Sequence, residues 1–375
     1  MYEPHVVNGA DETVRTHTGG TVARRGVSRR GFLIGGLTLA GTGLAGSTIG
    51  SGTAWALSDR PIIDCAGWGA RPNSAIVPIW NQRPVKILVH HTATPNVADQ
   101  SRRAADSLAR AIQNFHMDVR GWLDTGQHFT ISRGGFVLEG RHRSLEVLRI
   151  GQRQVEGAHC TGQNVVAVGI ENEGTYLDVD PPGALWDSLR ALCVHLCSQY
   201  GIPPTEIYGH RDFKNTACPG DRLYGMLPRL RTEVAGGLGQ RLEGGAAHKE
   251  SWPLLRPGDR GPQVQAAQYL LRAAGMRDVV PSGRYDRLTA AAVLRFQELT
   301  DAENVGMIGG ETWPVLARPV RRDEGGDAER AVAVLAARRG TESVPDVVTP
   351  RVWQRLLGTG GAPAETSTDP QGPPR

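Results

Sequence analysis

The stretch "VKILVHHT" at residues 85–92 sets the fold of the sequence around it. It is a short apolar run of β-branched and aliphatic residues, which is typical of a buried strand. The run ends in His90 and His91, and because side chains alternate along a strand, only one of the two imidazoles can face a given pocket. We therefore expect a buried strand that presents one histidine to a site at its end.

The residues on either side of this strand predict one α/β domain over residues 59–232. Segments with helical spacing of apolar residues alternate with short runs of period two, and Gly and Pro separate them. The predicted elements are a helix at 101–118 that Ser101 caps, a hairpin at 127–140, a strand at 164–174 and a helix at 184–201 that ends at Gly201.

The composition of the 375 residues excludes some classes of protein. The formal net charge is only +4 and the sequence has no basic stripe, so we exclude a nucleic-acid binder. The hydrophobic content of 39% is enough for packed cores, whereas 48 Gly and 24 Pro require long loops or linkers. A chain of this length suggests two or three domains.

The N-terminal residues have the pattern of an export signal. Arg29 and Arg30 precede a Gly-rich apolar run, and "AWA" follows at 54–56 as a small-x-small cleavage site. The sequence "SRRGFL" resembles the twin-arginine signal of bacteria, although Ile34 stands where lysine is common. The alternative is a membrane anchor, but so many glycines make a poor spanning helix. We predict a signal peptide at 1–56 and a secreted protein without stable membrane insertion once the signal is removed.

The C-terminal part of the sequence differs in character from the α/β domain. Residues 233–251 are rich in Gly and have no periodicity, which predicts a flexible linker. A small helical unit is predicted at 252–317. Residues 358–375 have almost no apolar side chains, and we expect a disordered tail there.

The loop sequence "YGHRDFKNTACPGD" at 208–221 holds a histidine and a cysteine eight positions apart. The Cys218 thiol could be half of a disulfide, a nucleophile or a metal ligand. Together with His90, the pair His210 and Cys218 would supply two imidazoles and one thiolate, a set that suits zinc and leaves a fourth position for water. The competing interpretation is that these histidines are structural, and the spacing alone leaves both open.

Five motifs in order carry a resemblance to a known family. The motifs "ILVHHTAT", "GWLDTGQHF", "GAHCTGQN", "VGIENEG" and "GHRDFKNTACPG" resemble those of type 2 N-acetylmuramoyl-L-alanine amidases, which share a fold with peptidoglycan recognition proteins and phage T7 lysozyme. The resemblance covers roughly residues 60–230. It implies an α/β fold with a mixed central β-sheet flanked by helices, and a Zn²⁺ ion held by His90, His210 and Cys218.

The resemblance also implies the catalytic residues, with one departure. Many catalytic members have a tyrosine where this chain has Gln127, and glutamine cannot titrate. A second branch of the family uses as general base the glutamate at the position of Glu171, which here ends an apolar strand. Glu173 lies on the same face and is the rival, and a surface carboxylate is the structural alternative. His159 matches a histidine beside the metal that contacts the substrate or the transition state.

Several further positions match residues that shape the substrate groove in the family. For most of them a packing role is an equal alternative. Thr216 takes the place where some relatives carry lysine and recognition proteins carry threonine, and Lys214 lies at the wrong offset for that role. The substrate-binding candidates are His116, Trp122, Gln127, Asn164 and Thr216.

Residues 252–317 resemble the three-helix peptidoglycan-binding module. The shared features are a Gly-x-x-Gly turn, the helix sequence "TAAAVLRFQ" and the closing "TWPVL". Within the helix, Ala292, Val293 and Phe296 form a core stripe that any small bundle needs.

A second, weaker copy of this module is a further prediction. The sequence "VPDVVTPRVWQRLL" at 344–357 echoes "NVGMIGGETWPVL", so that Trp353 corresponds to Trp313 and Leu356 to Leu316. We predict a degenerate half-repeat over 318–357.

The four cysteines other than Cys218 are interpreted as structural. Four cysteines allow three pairings, and the sequence does not choose among them. Two of them share one helix face, which favours separate partners or free buried thiols over a mutual bridge. The four are Cys65, Cys160, Cys193 and Cys197, the last two being the helical pair.

These expectations together describe a secreted, cell-wall-associated zinc amidase. It would hydrolyse the amide between N-acetylmuramic acid and the first L-alanine of the stem peptide, while the C-terminal unit keeps it on the wall. The alternative from another class is a peptidoglycan-binding protein without hydrolytic activity, for which Gln127 is the main argument. A zinc peptidase that cuts within the stem peptide would need a different ligand pattern. We expect a monomer whose partner is peptidoglycan and not nucleic acid.

Overall fold

A computed structural model describes residues 61–358 except residues 244, 248, 250, 324 and 342. The predicted signal peptide at 1–56 lies outside the described residues, as does the predicted disordered tail apart from its first residue, Gly358.

A five-stranded mixed sheet forms the centre of the α/β part, in the strand order β4-β3-β6-β2-β7. Strands β3, β6, β2 and β7 run parallel to one another, and β4 pairs antiparallel with β3. The mixed sheet with flanking helices confirms the predicted fold class. The five strands are β2 (Lys86–His91), β3 (Phe129–Ile131), β4 (Val137–Glu139), β6 (Ala167–Asn172) and β7 (Ile207–Gly209), and a separate two-stranded sheet joins β1 (Ile79–Trp80) to β5 (Gln154–Val155).

Strand β2 is buried on both faces because its apolar residues alternate between two cores. Ile87 and Val89 pack into the large cluster on one side of the sheet, whereas Leu88 packs with Cys160 and Ala167 on the other. All three β2 side chains are fully buried. The continuous aliphatic run Ile87-Leu88-Val89 is what a strand buried on both faces requires.

Helices flank the sheet, and their ends follow the sequence signals. The Ser101 side chain accepts a hydrogen bond from the N–H of Ala104, so it caps the second helix as predicted. The fourth helix ends at Gly201, whose φ of 75° is the left-handed conformation that favours glycine. The helices are α1 (Cys65–Trp68), α2 (Arg102–Asn114), α3 (Ser144–Ile150), α4 (Gly183–Tyr200), α5 (Asp221–Gly225) and α6 (Leu227–Gly237), and a π-helical turn at Phe115–Val119 follows α2.

The segment predicted as a flexible linker is structured at both ends. Helix α6 continues to Gly237, five residues into that segment, because Val234 and Ala235 bury their side chains in the core. Near the other end, Lys249 forms an ion pair of 2.7 Å with Glu206. Residue composition alone underestimated how much of this segment packs on the domain.

The C-terminal residues form a second, mainly helical core. Val293 and Phe296 are buried and Ala292 packs against the same cluster, as the predicted core stripe requires. A short antiparallel bridge joins Leu255 to Ile308. The helices of this unit are α7 (Pro262–Ala273), α8 (Arg287–Leu299) and α9 (Trp313–Leu316).

The residues after α9 repeat two features of this unit in the same order. Strands β8 (Val320–Arg321) and β9 (Val347–Val348) pair antiparallel, as Leu255 and Ile308 do. The indole N–H of Trp353 donates to the carbonyl of Arg318 (2.8 Å), and the indole N–H of Trp313 donates to that of Pro253 (2.6 Å).

The helices that carry the repeated features also correspond between the two sets of residues. Helix α10 (Gly326–Arg339) follows β8 as α7 follows Leu255, and α11 (Pro350–Leu357) carries Trp353. Among the described residues, no helix between α10 and β9 corresponds to α8. Both sets share one hydrophobic core.

None of the helices in the described part of the chain has both the length and the apolar composition that a membrane span requires.

Candidate active site

Three polar groups reach one edge of the sheet because their strands are parallel neighbours. His90 lies at the carboxyl end of β2, and its Cα partner across the sheet is Glu171 at the end of β6. His210 follows directly after β7, on the other side of β2. The carboxyl edge of an open α/β sheet is where ligands generally bind, so these three side chains define a candidate site.

Cys218 joins this group through the loop that begins with His210. The N–H of Arg211 donates to the carbonyl of Cys218 (3.1 Å), and its guanidinium donates to the carbonyl of Ala217 and to Asp221 (2.7 Å). The thiol in turn accepts a hydrogen bond from the N–H of His91 (3.3 Å). The loop is therefore tied to itself and to β2.

The predicted zinc ligands are brought together in space. One donor atom from each of His90, His210 and Cys218 lies within 4.8 Å of the other two. The imidazole Nδ1 of His90 is 3.7 Å from Cys218 Sγ, and the rings of His90 and His210 are 4.4 Å apart. With Zn–N bonds of about 2.0 Å and Zn–S bonds of about 2.3 Å, donors around one ion lie roughly 3–4 Å apart, so this cluster fits a zinc ion with little adjustment.

The charges of the donors also suit a cation. Burial lowers the pKa of His210 to about 3 and that of His90 well below its usual range, so both imidazoles are neutral and keep a lone pair for a metal. Burial raises the pKa of the Cys218 thiol, and the nearby Glu171 adds to this effect. A bound cation would reverse the shift at the thiol, because it favours the thiolate.

Glu171 differs from the buried carboxylates of the domain because one of its oxygens has no hydrogen-bond partner among the described residues. Its Oε2 atom is buried and receives no hydrogen bond from the described residues. Burial raises the pKa of Glu171 to about 8. Since buried polar groups are nearly always paired, an unpaired carboxylate that lines the pocket with His90 and His210 is available for chemistry.

Glu173, the rival from the alternating pattern, does not line this pocket. Strand β6 ends at Asn172, and the Glu173 carboxylate accepts a hydrogen bond from the N–H of Arg133 (2.7 Å). Its backbone carbonyl accepts from the hydroxyl of Tyr176. Glu173 therefore holds the β3–β4 turn. Because its carboxylate does not line the pocket, Glu173 is not placed to act as the general base.

His159 lies next to His90, and its ring occupies space that is available because residues 157 and 169 are glycines. Its Nδ1 is 3.1 Å from Nε2 of His90, and its Nε2 is 3.3 Å from the carbonyl of Ala167. A Cβ at Gly157 or Gly169 would lie 2.6 Å or 2.5 Å from the His159 ring. If Nε2 of His159 donates to the carbonyl, its Nδ1 accepts from His90, and His90 is left with a free lone pair on Nδ1 facing Cys218.

His128 lies behind His159, and sequence analysis missed it. Its ring meets that of His159 edge-on at 5.4 Å. The Nδ1 atom accepts a hydrogen bond from the N–H of Gly169 (3.0 Å), which leaves Nε2 to donate to the carbonyl of Val155 (2.8 Å). The only sequence signal was its place in "GWLDTGQHF", beside Gln127.

His116 and Trp122 form one aromatic wall of the pocket. Their rings lie 4.6 Å apart, and Nδ1 of His116 accepts a hydrogen bond from the N–H of Gly126 (3.1 Å). Burial lowers the pKa of His116 to about 4, so the ring is neutral. Gln127 lines the same pocket, and its amide donates to the hydroxyl of Thr130 (2.8 Å).

The last two substrate-binding candidates differ in position. Thr216 lines the pocket, and its hydroxyl accepts a hydrogen bond from the N–H of Cys218 (3.1 Å). Asn164 is not among the lining residues, and its side-chain oxygen accepts from the N–H groups of His159 and Cys160, both at 2.9 Å. Asn164 therefore shapes the loop that carries His159.

The pocket has a volume of about 460 Å³ and includes one residue from the C-terminal unit, Met307. This residue was also missed, because the sequence gives no sign that the two units meet here. The rest of the pocket consists of the residues named above, His91 and three alanines, Ala93, Ala158 and Ala217.

The five cysteines, all within the described residues, form no disulfide. Cys193 and Cys197 are buried in α4, and burial raises the pKa of both thiols. Cys65 and Cys160 are buried elsewhere. Of the two alternatives that the sequence left open for Cys193 and Cys197, separate partners or free buried thiols, the structure has free buried thiols.

The fold and the site together define an α/β protein with a zinc-type donor set and an unpaired carboxylate at the carboxyl edge of its sheet. The family described as N-acetylmuramoyl-L-alanine amidase matches residues 80–221, and the putative peptidoglycan binding domain family matches residues 260–316. Peptidoglycan recognition protein 1 of Bos indicus is 32% identical over 169 residues, which is 44% of this chain and 82% of that protein. The chain belongs to this family of amidases and peptidoglycan recognition proteins.

Other relatives match a smaller part of their own length. The N-acetylmuramoyl-L-alanine amidase of Sus scrofa is 30% identical over 51% of this chain, and the alignment spans 31% of that protein. The Homo sapiens protein of the same name is 34% identical over 43% of this chain and 26% of that protein. Among solved structures, wild-type Drosophila PGRP-LB aligns at 28% identity with a TM-score of 0.40, over 45% of this chain and 92% of that one.

Proposed function

We propose that this chain is a zinc-dependent N-acetylmuramoyl-L-alanine amidase that hydrolyses the amide between N-acetylmuramic acid and L-alanine in peptidoglycan. The proposal is supported by the family match and by the donor cluster of His90, His210 and Cys218. When bound, the ion would supply Lewis acidity that polarises the scissile carbonyl and activates water. The peptide backbone and side chains around the ion would supply the remaining contributions to catalysis.

The unpaired Glu171 carboxylate is the observation that carries catalysis rather than binding alone. It shares a pocket with the three donors, and no group among the described residues occupies its Oε2 atom. A cation in the donor cluster would favour its ionised form against the effect of burial. Glu171 can then accept a proton from the attacking water and return it to the leaving amine.

His159 lines the same pocket and has two tasks in this proposal. Its bond to His90 fixes the ring that would bind the metal. Its position in the pocket also allows its ring to meet the charge that develops on the substrate carbonyl, as the family resemblance implies. The rest of the substrate would contact Thr216, Gln127 and the wall that His116 and Trp122 form.

The alternative is a peptidoglycan recognition protein without hydrolytic activity. Gln127 favours it, because this residue stands where many catalytic relatives have tyrosine and is buried and bonded to Thr130. Glutamine does not titrate and cannot act as a general acid or base. The Glu171 carboxylate weighs against this alternative, since a binding site has no need for an unpaired buried acid.

The C-terminal unit would hold the enzyme on its polymeric substrate outside the cell. The family match at 260–316 supports wall binding by the first copy. The repeated strand pair and tryptophan bond support the proposal that residues 318–357 are a second copy without the middle helix. Export by the predicted twin-arginine signal would place both copies at the cell wall.

Digestion of purified peptidoglycan tests the proposed activity. Zinc-loaded protein, chelator-treated protein and Glu171→Gln would be compared, with the soluble products identified by mass spectrometry. We expect free stem peptides with an N-terminal L-alanine from the zinc-loaded protein only. Wall binding without any released peptide would instead establish the recognition protein, and release of disaccharide peptides or shortened stems would show another bond specificity.

A further inference from the structure

The C-terminal unit is docked on the loop that carries two of the proposed ligands, through the buried side chain of Asn215. Its Oδ1 atom accepts hydrogen bonds from the N–H groups of Gly309 (3.0 Å) and Thr312 (3.1 Å). Its Nδ2 atom donates to the carbonyl of Glu303 (3.2 Å) and to Glu311 (3.4 Å). One side chain that is only 1% exposed thus satisfies four groups of the other unit.

Backbone packing across the same contact leaves no room for side chains. A Cβ at Gly310 would lie 2.2 Å from the carbonyl oxygen of Asp212, and a Cβ at Gly309 would lie 2.7 Å from that of Lys214. The N–H of Gly310 donates to the carbonyl of Arg211 (3.1 Å). Because these contacts are with backbone atoms, which cannot turn aside as a side chain can, both positions require glycine.

Ion pairs close the edges of the contact. Lys214 and Glu311 are 2.6 Å apart, with side chains only 15% and 23% exposed. Arg256 pairs with Asp221 at the other end of the loop. Partly buried pairs of this kind are screened less by salt than exposed ones, and they fix the orientation of the two surfaces.

Met307 reaches the pocket from this docked surface. It precedes Gly309 by two residues and lines the pocket together with Thr216, Cys218 and His210. The amide of Gln297 donates to its carbonyl (2.7 Å), which holds its backbone in place within the C-terminal unit. A thioether side chain is apolar and adaptable, and it suits contact with the carbon skeleton of a bound substrate.

We propose that the C-terminal unit is a fixed wall of the active site, in which Met307 contacts the muramyl peptide and Asn215 positions that wall against the ligand loop. The inference rests on the proposed substrate class but not on hydrolysis. A unit that only tethers the enzyme to the wall would raise the local substrate concentration and would leave the affinity for a small soluble fragment unchanged. A C-terminal unit that forms a fixed wall of the site contributes directly to the affinity for this small soluble fragment.

The first test measures a soluble N-acetylmuramoyl tripeptide with the full chain and Met307→Ala. We expect KM to rise roughly tenfold with little change in kcat, because one apolar contact to the substrate is lost and the reacting groups are untouched. Met276→Ala is the matched control, since Met276 packs against the core of the same unit and does not line the pocket. It should leave KM unchanged.

The second test uses Asn215→Ala, with the exposed Asn304→Ala as its control. Loss of four bonds across the contact should release the loop, so amide hydrogen exchange at 211–218 should accelerate and KM for the soluble fragment should rise. A merely structural Asn215 would lower stability without changing KM at temperatures where the protein is folded. If the amide exchange rates and the KM of Asn215→Ala both match those of Asn304→Ala, the positioning role of Asn215 is overturned.

The dissociation constant for the same fragment, measured in Glu171→Gln with and without Met307→Ala, separates this inference from the proposed function. Binding that weakens with Met307→Ala, even where the parent protein cleaves nothing, supports the wall and rejects only the amidase. Cleavage with the same KM and dissociation constant in both proteins overturns the wall alone. No binding of the fragment by any variant would overturn both.

Discussion

The ligand loop at 208–221 and the end of β6 border the same pocket but are stabilised in opposite ways. In the loop, Arg211 binds the carbonyl of Ala217 and the N–H of Cys218 binds Thr216. At the end of β6, the Oε2 atom of Glu171 is buried with no hydrogen bond from the described residues.

This difference separates two demands on a site. A group that binds a metal must stay at a fixed distance, so its loop gains from every available hydrogen bond. A group that exchanges a proton with water must keep its lone pairs free, and any permanent donor would compete with the water. The hydrogen-bonded backbone around Cys218 and the Glu171 Oε2 atom, which receives no hydrogen bond from the described residues, are therefore complementary parts of one arrangement.

Removal of the thiol should have the largest effect. In Cys218→Ala we expect zinc affinity to fall by more than about 100-fold and amidase activity to be lost, because one of three donors is gone. Zinc content by mass spectrometry and peptide release measure both. Cys160→Ala is the control, since Cys160 is buried nearby but is not part of the donor cluster. Equal zinc content in the two variants would remove Cys218 from the ligand set.

The Glu171→Gln variant should lose activity and keep its metal and its stability. We expect kcat to fall by about 10²–10⁴-fold, the usual contribution of a general base. Zinc content and Tm should stay the same, because Oε2 makes no hydrogen bond to the described residues that the amide could break. A large fall in Tm would show that the strand end has a structural partner after all, and the contrast with the loop would disappear.

A change in the support of the loop should have an intermediate effect. Thr216→Val removes the acceptor for the N–H of Cys218 and keeps the shape of the side chain. We expect zinc affinity to fall about tenfold, as is typical when a group that supports a ligand is lost. Competition with a chromogenic chelator measures this. Unchanged zinc affinity with a raised KM would assign Thr216 to the substrate instead.

The smallest effect is expected for Glu173→Gln, the counterpart of Glu171→Gln two residues away. It weakens the bond from the N–H of Arg133 and should cost about 1 kcal/mol of unfolding free energy in a denaturant titration. At temperatures where the variant is folded, kcat should match the parent protein. A fall in kcat as large as that of Glu171→Gln would reverse the assignment of the two carboxylates.

Local signals in the sequence predicted the buried strand that ends in His90, whereas the mixed sheet and the donor set were implied by the family resemblance. The apolar run before His90 fixes a buried strand, and the alternation of side chains separates His90 from His91. In the structure, His90 joins the donor cluster, whereas His91 accepts a hydrogen bond from the N–H of Tyr176. That separation follows from two residues and needs no knowledge of the rest of the fold.

What the sequence could not provide depends on contacts between distant segments. The period-two pattern placed Glu173 beside Glu171, but β6 ends at Asn172 and the Glu173 carboxylate accepts a hydrogen bond from the N–H of Arg133. Met307 lines the pocket from a surface that contacts Asn215, which lies 94 residues before Gly309. Neither relation leaves a trace in local composition or periodicity.

The docking of the C-terminal unit also sets an order of events during synthesis of the chain. All three proposed ligands precede residue 219, whereas the glycines that back their loop are made about 90 residues later. While the ribosome adds those residues, His210 and Cys218 lie on a loop whose outer side is open. A chain that stops short of residue 303 therefore keeps every proposed ligand and lacks the support behind the loop. We expect such a chain to retain less zinc than the full chain does.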